Sequence, residues 1–198
     1  MPKLTKMRIA VLYVLLIFFF SCSIKTTTLE NGLTKVALNK NVYKNISKFE
    51  KNLLDMVDTS VVYESFTEKN YYGINDSETV NIVDRLNFKD SRVIYSCYKF
   101  YDNGKMNLFI LNRNDSVLTQ KTFDPNYNGY RGIYYRNKNK ILGDLITRVT
   151  GYGRIGKSRT EFEFVGDTLF VYSEPYKHKS IYLKRKIQTE LLEHKAEW

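Results

Sequence analysis

Read as apolar and polar positions, the chain divides into one apolar run, one helical stripe and a long series of alternating segments. Positions 9–20 (IAVLYVLLIFFF) are unbroken apolar, with Lys3, Lys6 and Arg8 before them. A helix that crosses a bilayer needs about 20 such residues, so this shorter run reads as the apolar region of a signal peptide. Val42, Ile46, Phe49, Leu53 and Val57 then recur at spacings of four, three, four and four. That period predicts an amphipathic helix over 41–57, with Asn39 or Asn41 as its cap. Its polar face mixes Glu50, Asp55 and Asp58 with lysines, so the stripe is expected to pack on the domain's own sheet rather than on a membrane.

From position 60 onward the period shortens to two. Strands are expected at 60–67, 92–101, 105–111, 117–123, 130–136, 141–149, 160–165, 168–173 and 180–184, with a short helix in 78–88. Two hairpins are specified down to register. Between 92–101 and 105–111 lies Asp102-Asn103-Gly104. A three-residue loop there pairs Phe100 with Met106, Tyr98 with Leu108 and Ser96 with Ile110. A two-residue loop would mix apolar and polar faces, which a buried sheet does not tolerate. Gly166-Asp167 suits a type II′ turn and sets Phe164 opposite Leu169 and Phe162 opposite Val171, with Glu161 and Glu163 on the other face. The large inward positions on these hairpins suggest an interior filled by side chains. At the end of the chain, Ile187, Leu191 and Trp198 suggest a short helix with one apolar side.

The apolar run is followed at once by Ser21-Cys22. This arrangement resembles the lipobox of bacterial lipoproteins, in which the cysteine receives diacylglycerol, becomes the mature N-terminus and is acylated. The resemblance implies a signal peptide over 1–21, a lipidated Cys22 as membrane anchor, a tether over 22–39 and a single β-rich domain over 40–198. It implies a bacterial cell envelope, with the periplasmic side of the outer membrane favoured because no acidic cluster follows Cys22.

Removing the first 21 of 198 residues leaves 177, enough for one domain with a sizeable core. The removed piece carries three basic residues and no acid, so the net charge falls from +10 to +7. The cations are scattered among acids, which describes a solvated surface better than a nucleic-acid site. A local anionic-ligand patch is a candidate at Arg154, Lys157, Arg159, Lys177 and Lys179, near Tyr152 and Tyr176, for a glycan or anionic lipid. With Cys22 taken by lipid, Cys97 should be a buried free thiol, and no Cys/His spacing suggests a metal. Sixteen tyrosines among 15% aromatic residues favour strands.

Gly151 to Ser158 matches G-x-x-x-x-G-K-S, which cradles phosphate only when it opens a helix. Here the following residues alternate as a strand, so neither nucleotide nor any other cofactor is expected. Phe100-Tyr-Asp-Asn-Gly-Lys105 looks like one unit of the Tyr-x-Asn-Gly-Lys hairpin repeats of some bacterial proteins, but it occurs once and serves as a turn. No nucleophile elbow with a partner histidine is recognisable, and Asp84-Arg85 and Asp144/Arg148 read as surface pairs.

The order from Gly129 to Lys184, with its Gly-Asp-Thr-Leu hairpin and closing Tyr-Leu-Lys, resembles the last strands of small lipocalin-like bacterial lipoproteins. The expected fold is mainly β (α+β): an antiparallel sheet curled into a barrel or half-barrel, packed with the N-terminal amphipathic helix and a short C-terminal helix. The expected function is that of a non-catalytic, membrane-anchored envelope lipoprotein acting as a binding or assembly module, with an envelope protein or glycan as partner. The alternative is a lipocalin-like carrier of a small apolar ligand.

Overall fold

A computed structural model describes residues 24–66, 94–115, 117–149, 155–174 and 178–198. The expected helix at 78–88 lies outside them. Strands β1 (Thr26–Thr28) and β2 (Lys35–Ala37) form a two-stranded antiparallel ribbon. Eight further strands close into an antiparallel barrel: β3 (Val62–Ser65), β4 (Ile94–Phe100), β5 (Lys105–Asn112), β6 (Tyr130–Asn137), β7 (Lys140–Arg148), β8 (Ile155–Val165), β9 (Thr168–Ser173) and β10 (His178–Arg185). Each strand pairs with the next in sequence, and β10 closes on β3, so no barrel edge is left unpaired. The barrel alternative to the half-barrel is the one that forms.

Both hairpin registers are as the alternation and turn chemistry require. Phe100 faces Met106, Tyr98 faces Leu108 and Ser96 faces Ile110, around Gly104 at φ +78°. Phe162 faces Val171 and Phe164 faces Leu169, around Gly166 at φ +55°. At Gly104 a side chain is excluded twice over, because a Cβ would also lie 2.6 Å from the ring of Phe49.

Three expected elements differ. The helix over 41–57 is two 3-10 helices, Lys40–Lys48 and Lys51–Asp55, with extended backbone at Phe49 and Glu50 between them. Asn39 caps the first, its side chain accepting from the Asn41 amide. The apolar stripe serves two cores. Val42 and Ile46 pack on the outer face of β6 and β7, while Phe49, Leu53 and Val57 turn over the end of the barrel into its interior cluster. A straight α-helix could not reach both. Residues 117–123 form no strand; Gln120–Phe123 is a 3-10 turn that drives Phe123 against Phe109, with ring centroids 5.3 Å apart. The C-terminal helix is a single 3-10 turn, Thr189–Leu191. Ile187 and Leu191 pack on the outer face of β4 and β5, whereas Trp198 joins the β6–β7 side.

The segment expected to tether is folded from Ile24 on. Ile24 and Ala37 belong to the outer β6–β7 cluster, and Leu29 and Val36 are buried. Cys97 is a free, buried thiol on the opposite outer layer, and burial pushes its pKa far above the usual thiol value.

Candidate functional site

Alternation along the strands sends every second side chain into the barrel, and the inward set changes character from one end to the other. The end carrying the β4–β5, β6–β7 and β8–β9 turns is filled by rings. Phe100 is fully buried, and its centroid lies 5.2 Å from Tyr134 and 5.3 Å from Phe162, both near perpendicular. Phe49 closes this end against Tyr134 at 5.3 Å, with Leu53 and Val57 beside it. Tyr134 donates its hydroxyl hydrogen to the Tyr101 carbonyl at 2.7 Å, so its polar atom is satisfied. Edge-to-face rings at these separations pack the interior, and hollows of about 650 Å³ beside Ile141, Phe162 and Phe164 and about 580 Å³ beside Val57 and Phe164 open next to them.

The same strands, followed toward the other end, turn small and hydroxylic. Above Tyr98 and Phe162, which lie 5.4 Å apart, the inward positions include Ser65, Ser96, Ser158, Thr160, Ser173 and Ser180, interspersed with Ile94, Ile110, Leu145 and Tyr182. Ser96 Oγ and Tyr182 Oη share a hydrogen bond of 3.0 Å, and the Ser96 amide donates to Ser65 Oγ at 3.1 Å. Thr160 is 4% exposed, yet its Oγ1 makes no hydrogen bond. Leaving a buried hydroxyl unsatisfied costs about 1–3 kcal/mol, so such a group asks for a partner. Ser158, Ser173 and Ser180 around it are only partly buried. Among the described residues, the inward strand positions of this half carry no carboxylate, lysine or arginine. At the rim, a hollow of about 360 Å³ is lined by Ile94, Ile110, Asn112, Val117, Tyr127 and Asn128. There the pairing of β5 with β6 ends at Leu108 and Tyr130, where β6 begins. Large inward side chains therefore dominate the turn end, whereas toward the rim they alternate with short hydroxyl residues.

A second polar centre sits on the outside of β7. Asp144 is fully buried, although the sequence suggested a surface pair with Arg148. Its Oδ2 lies 2.7 Å from Lys157 Nζ and accepts from Asn45 at 2.7 Å and from the Tyr135 hydroxyl at 3.3 Å; Oδ1 accepts from Arg159 Nε at 3.1 Å. Burial alone would raise its pKa, but the hydrogen bonds from Lys157, Asn45 and Arg159 outweigh it and hold the carboxyl below its usual range. Asn45 belongs to the first 3-10 helix, so this carboxylate staples the outer layer to the barrel wall.

Of the candidate anionic-ligand patch, Lys157 and Arg159 are spent on Asp144. Lys179 lies on β10, its Nζ 4.6 Å from the Phe170 ring centroid. Arg154 and Lys177, like the lipidation candidate Cys22, fall outside the described residues. The structure thus brings two of the three described patch residues together, and does so around an internal carboxylate. Gly156, Lys157 and Ser158 of the Walker-like stretch lie within β8 rather than at a helix start. Among the described residues, no three His, Cys, Asp or Glu side chains come together as a metal site, and no helix is long and apolar enough to cross a membrane.

Fold and site together define an eight-stranded up-and-down antiparallel barrel, plugged by aromatics at one end and lined by hydroxyls at the other. No family model, curated protein or solved structure matches the chain.

Proposed function

We propose that the protein is a non-catalytic lipoprotein of a bacterial cell envelope, anchored through acylated Cys22, whose barrel is a binding module for a small uncharged molecule. The anchor rests on the basic head, the short apolar run and Ser21-Cys22. The binding role rests above all on Thr160 Oγ1, a buried hydroxyl without a partner, placed on the inward face just beyond the aromatic floor. An apolar floor of Tyr98, Phe162 and Val171 beneath hydroxyl walls suits a ligand with one apolar end and one hydrogen-bonding end. Among the described residues a charged ligand finds no counter-ion on those walls, and desolvating it there would be costly. Eight strands leave an interior wide enough for one such molecule where side chains are short.

Native mass spectrometry of the protein after gentle detergent extraction tests this reading. A stoichiometric small neutral molecule retained beyond the acyl chains, and lost in Thr160→Val, is the expected result. A wild-type protein that carries none, and takes up none from envelope lipid extracts, would redirect the function to a partner on the outer surface.

A further inference from the structure

Five lysines, Lys25, Lys35, Lys40, Lys44 and Lys48, lie in the layer that covers the outer face of β6 and β7, and all five are exposed. The only acid between Ile24 and Lys48 is Glu30, so this short stretch holds a net +4 of the +7 left after removal of the first 21 residues. Asp144 beneath it does not offset that charge, being buried and already paired with Lys157 and Arg159. The same layer carries Leu33 and Leu38, 77% and 60% exposed. Its first described residue, Ile24, is docked on the barrel wall. Cys22 is two residues earlier, and two residues span at most about 7 Å.

We infer that this layer rests on the anionic surface of the membrane that holds the acyl chains of Cys22. The inference depends on the reading of Cys22 as the acylated N-terminus. With the anchor that close to a docked residue, the barrel cannot stand away from the bilayer on a flexible stalk. The face nearest the anchor must meet the head groups. Lysines there are drawn to anionic lipid, and exposed leucines fit the head-group boundary, so a basic surface reinforces the acyl anchor. The barrel then lies on its β6–β7 wall, with β10 on the far side and both ends clear of the bilayer.

The acylated protein, reconstituted into vesicles of phosphatidylcholine alone or with added phosphatidylglycerol, is labelled with a water-soluble amine reagent and read lysine by lysine. The five lysines are expected to react about fivefold more slowly on the anionic vesicles, and high salt should abolish the difference. Lys179 and Lys186, on or beside β10, should react equally on both. The triple variant Lys40→Gln, Lys44→Gln, Lys48→Gln should remain acylated while losing the lipid dependence at Lys25 and Lys35. Acylated protein whose five lysines label alike on both vesicles would overturn the orientation alone. An intact mass lacking the acyl groups on Cys22 would overturn the anchor, and the orientation with it.

Discussion

At the turn end of the barrel, Phe100 is fully buried among Tyr63, Tyr134 and Phe162. Two to four residues further along the same strands, the inward side chains are Ser96 and Thr160. One half is organised like a crystal of rings, and its few polar atoms are satisfied. The other half intersperses hydroxyls with larger side chains, and the Thr160 hydroxyl makes no hydrogen bond. Close-packed cores feel a single methylene, whereas loosely filled ones do not.

The largest expected effect is at the floor. Phe162→Ala should cost about 3–5 kcal/mol in denaturant melts, as truncation of a buried aromatic does. Thr160→Val, two residues away on the same face, should stay within about 1 kcal/mol, because the hydroxyl it removes makes no bond. If the two variants lose equally, the halves are not different in kind.

Asp144→Ala separates the interior from the layer outside it. It should cost about 1–3 kcal/mol, chiefly by leaving Asn45 and the Tyr135 hydroxyl without their acceptor, since Lys157 and Arg159 reach water. The interior rings should stay ordered, with unchanged near-ultraviolet circular dichroism. The native carboxyl titrates below its unfolded value, so its contribution is present at neutral pH and disappears as pH falls below about 4. The wild-type advantage over the variant should shrink in that range; an advantage constant down to low pH would contradict the charged staple.

A smaller effect concerns Lys99, which lies on the outer side of β4 but is buried, its ammonium donating to the Thr59 carbonyl. Burial lowers its pKa to about 8. Between that value and its ordinary 10.5 the unfolded chain binds more protons, so stability should rise with pH across the window, by at most about 1.4 kcal/mol per unit. Lys99→Met should flatten the slope. Equal slopes in the two proteins would place the lysine in water.

How much of this could be read from sequence depended on whether the signal was local. The hairpins at Gly104 and Gly166 were legible because turn chemistry and alternation specify the same register. The hydroxyl half was legible in principle, since carrying the Tyr98 and Phe162 alternation two residues further reaches Ser96 and Thr160; attention to large residues hid it. The stripe from Val42 to Val57 misled because its spacing fits one helix, while its two halves are claimed by cores on different sides of the barrel wall. Asp144 misled for a related reason. An acid among Leu142, Leu145 and Ile146 is flagged by the pattern, but only tertiary structure brings Lys157, Arg159 and Asn45 to it.

The contrast between the two halves is tested most directly by adding volume to each. Gly143 lies under Phe162 and Met106, and a Cβ there would come within 2.4 Å of the Phe162 ring. Ser180 is an inward, half-buried position directly opposite Val171. Equilibrium unfolding of Gly143→Ala and Ser180→Val should show a loss of about 1–3 kcal/mol for the first and a change within about 0.5 kcal/mol for the second. Comparable losses at both sites would mean that the barrel is packed evenly from end to end, and that the hydroxyl-lined half is core rather than binding site.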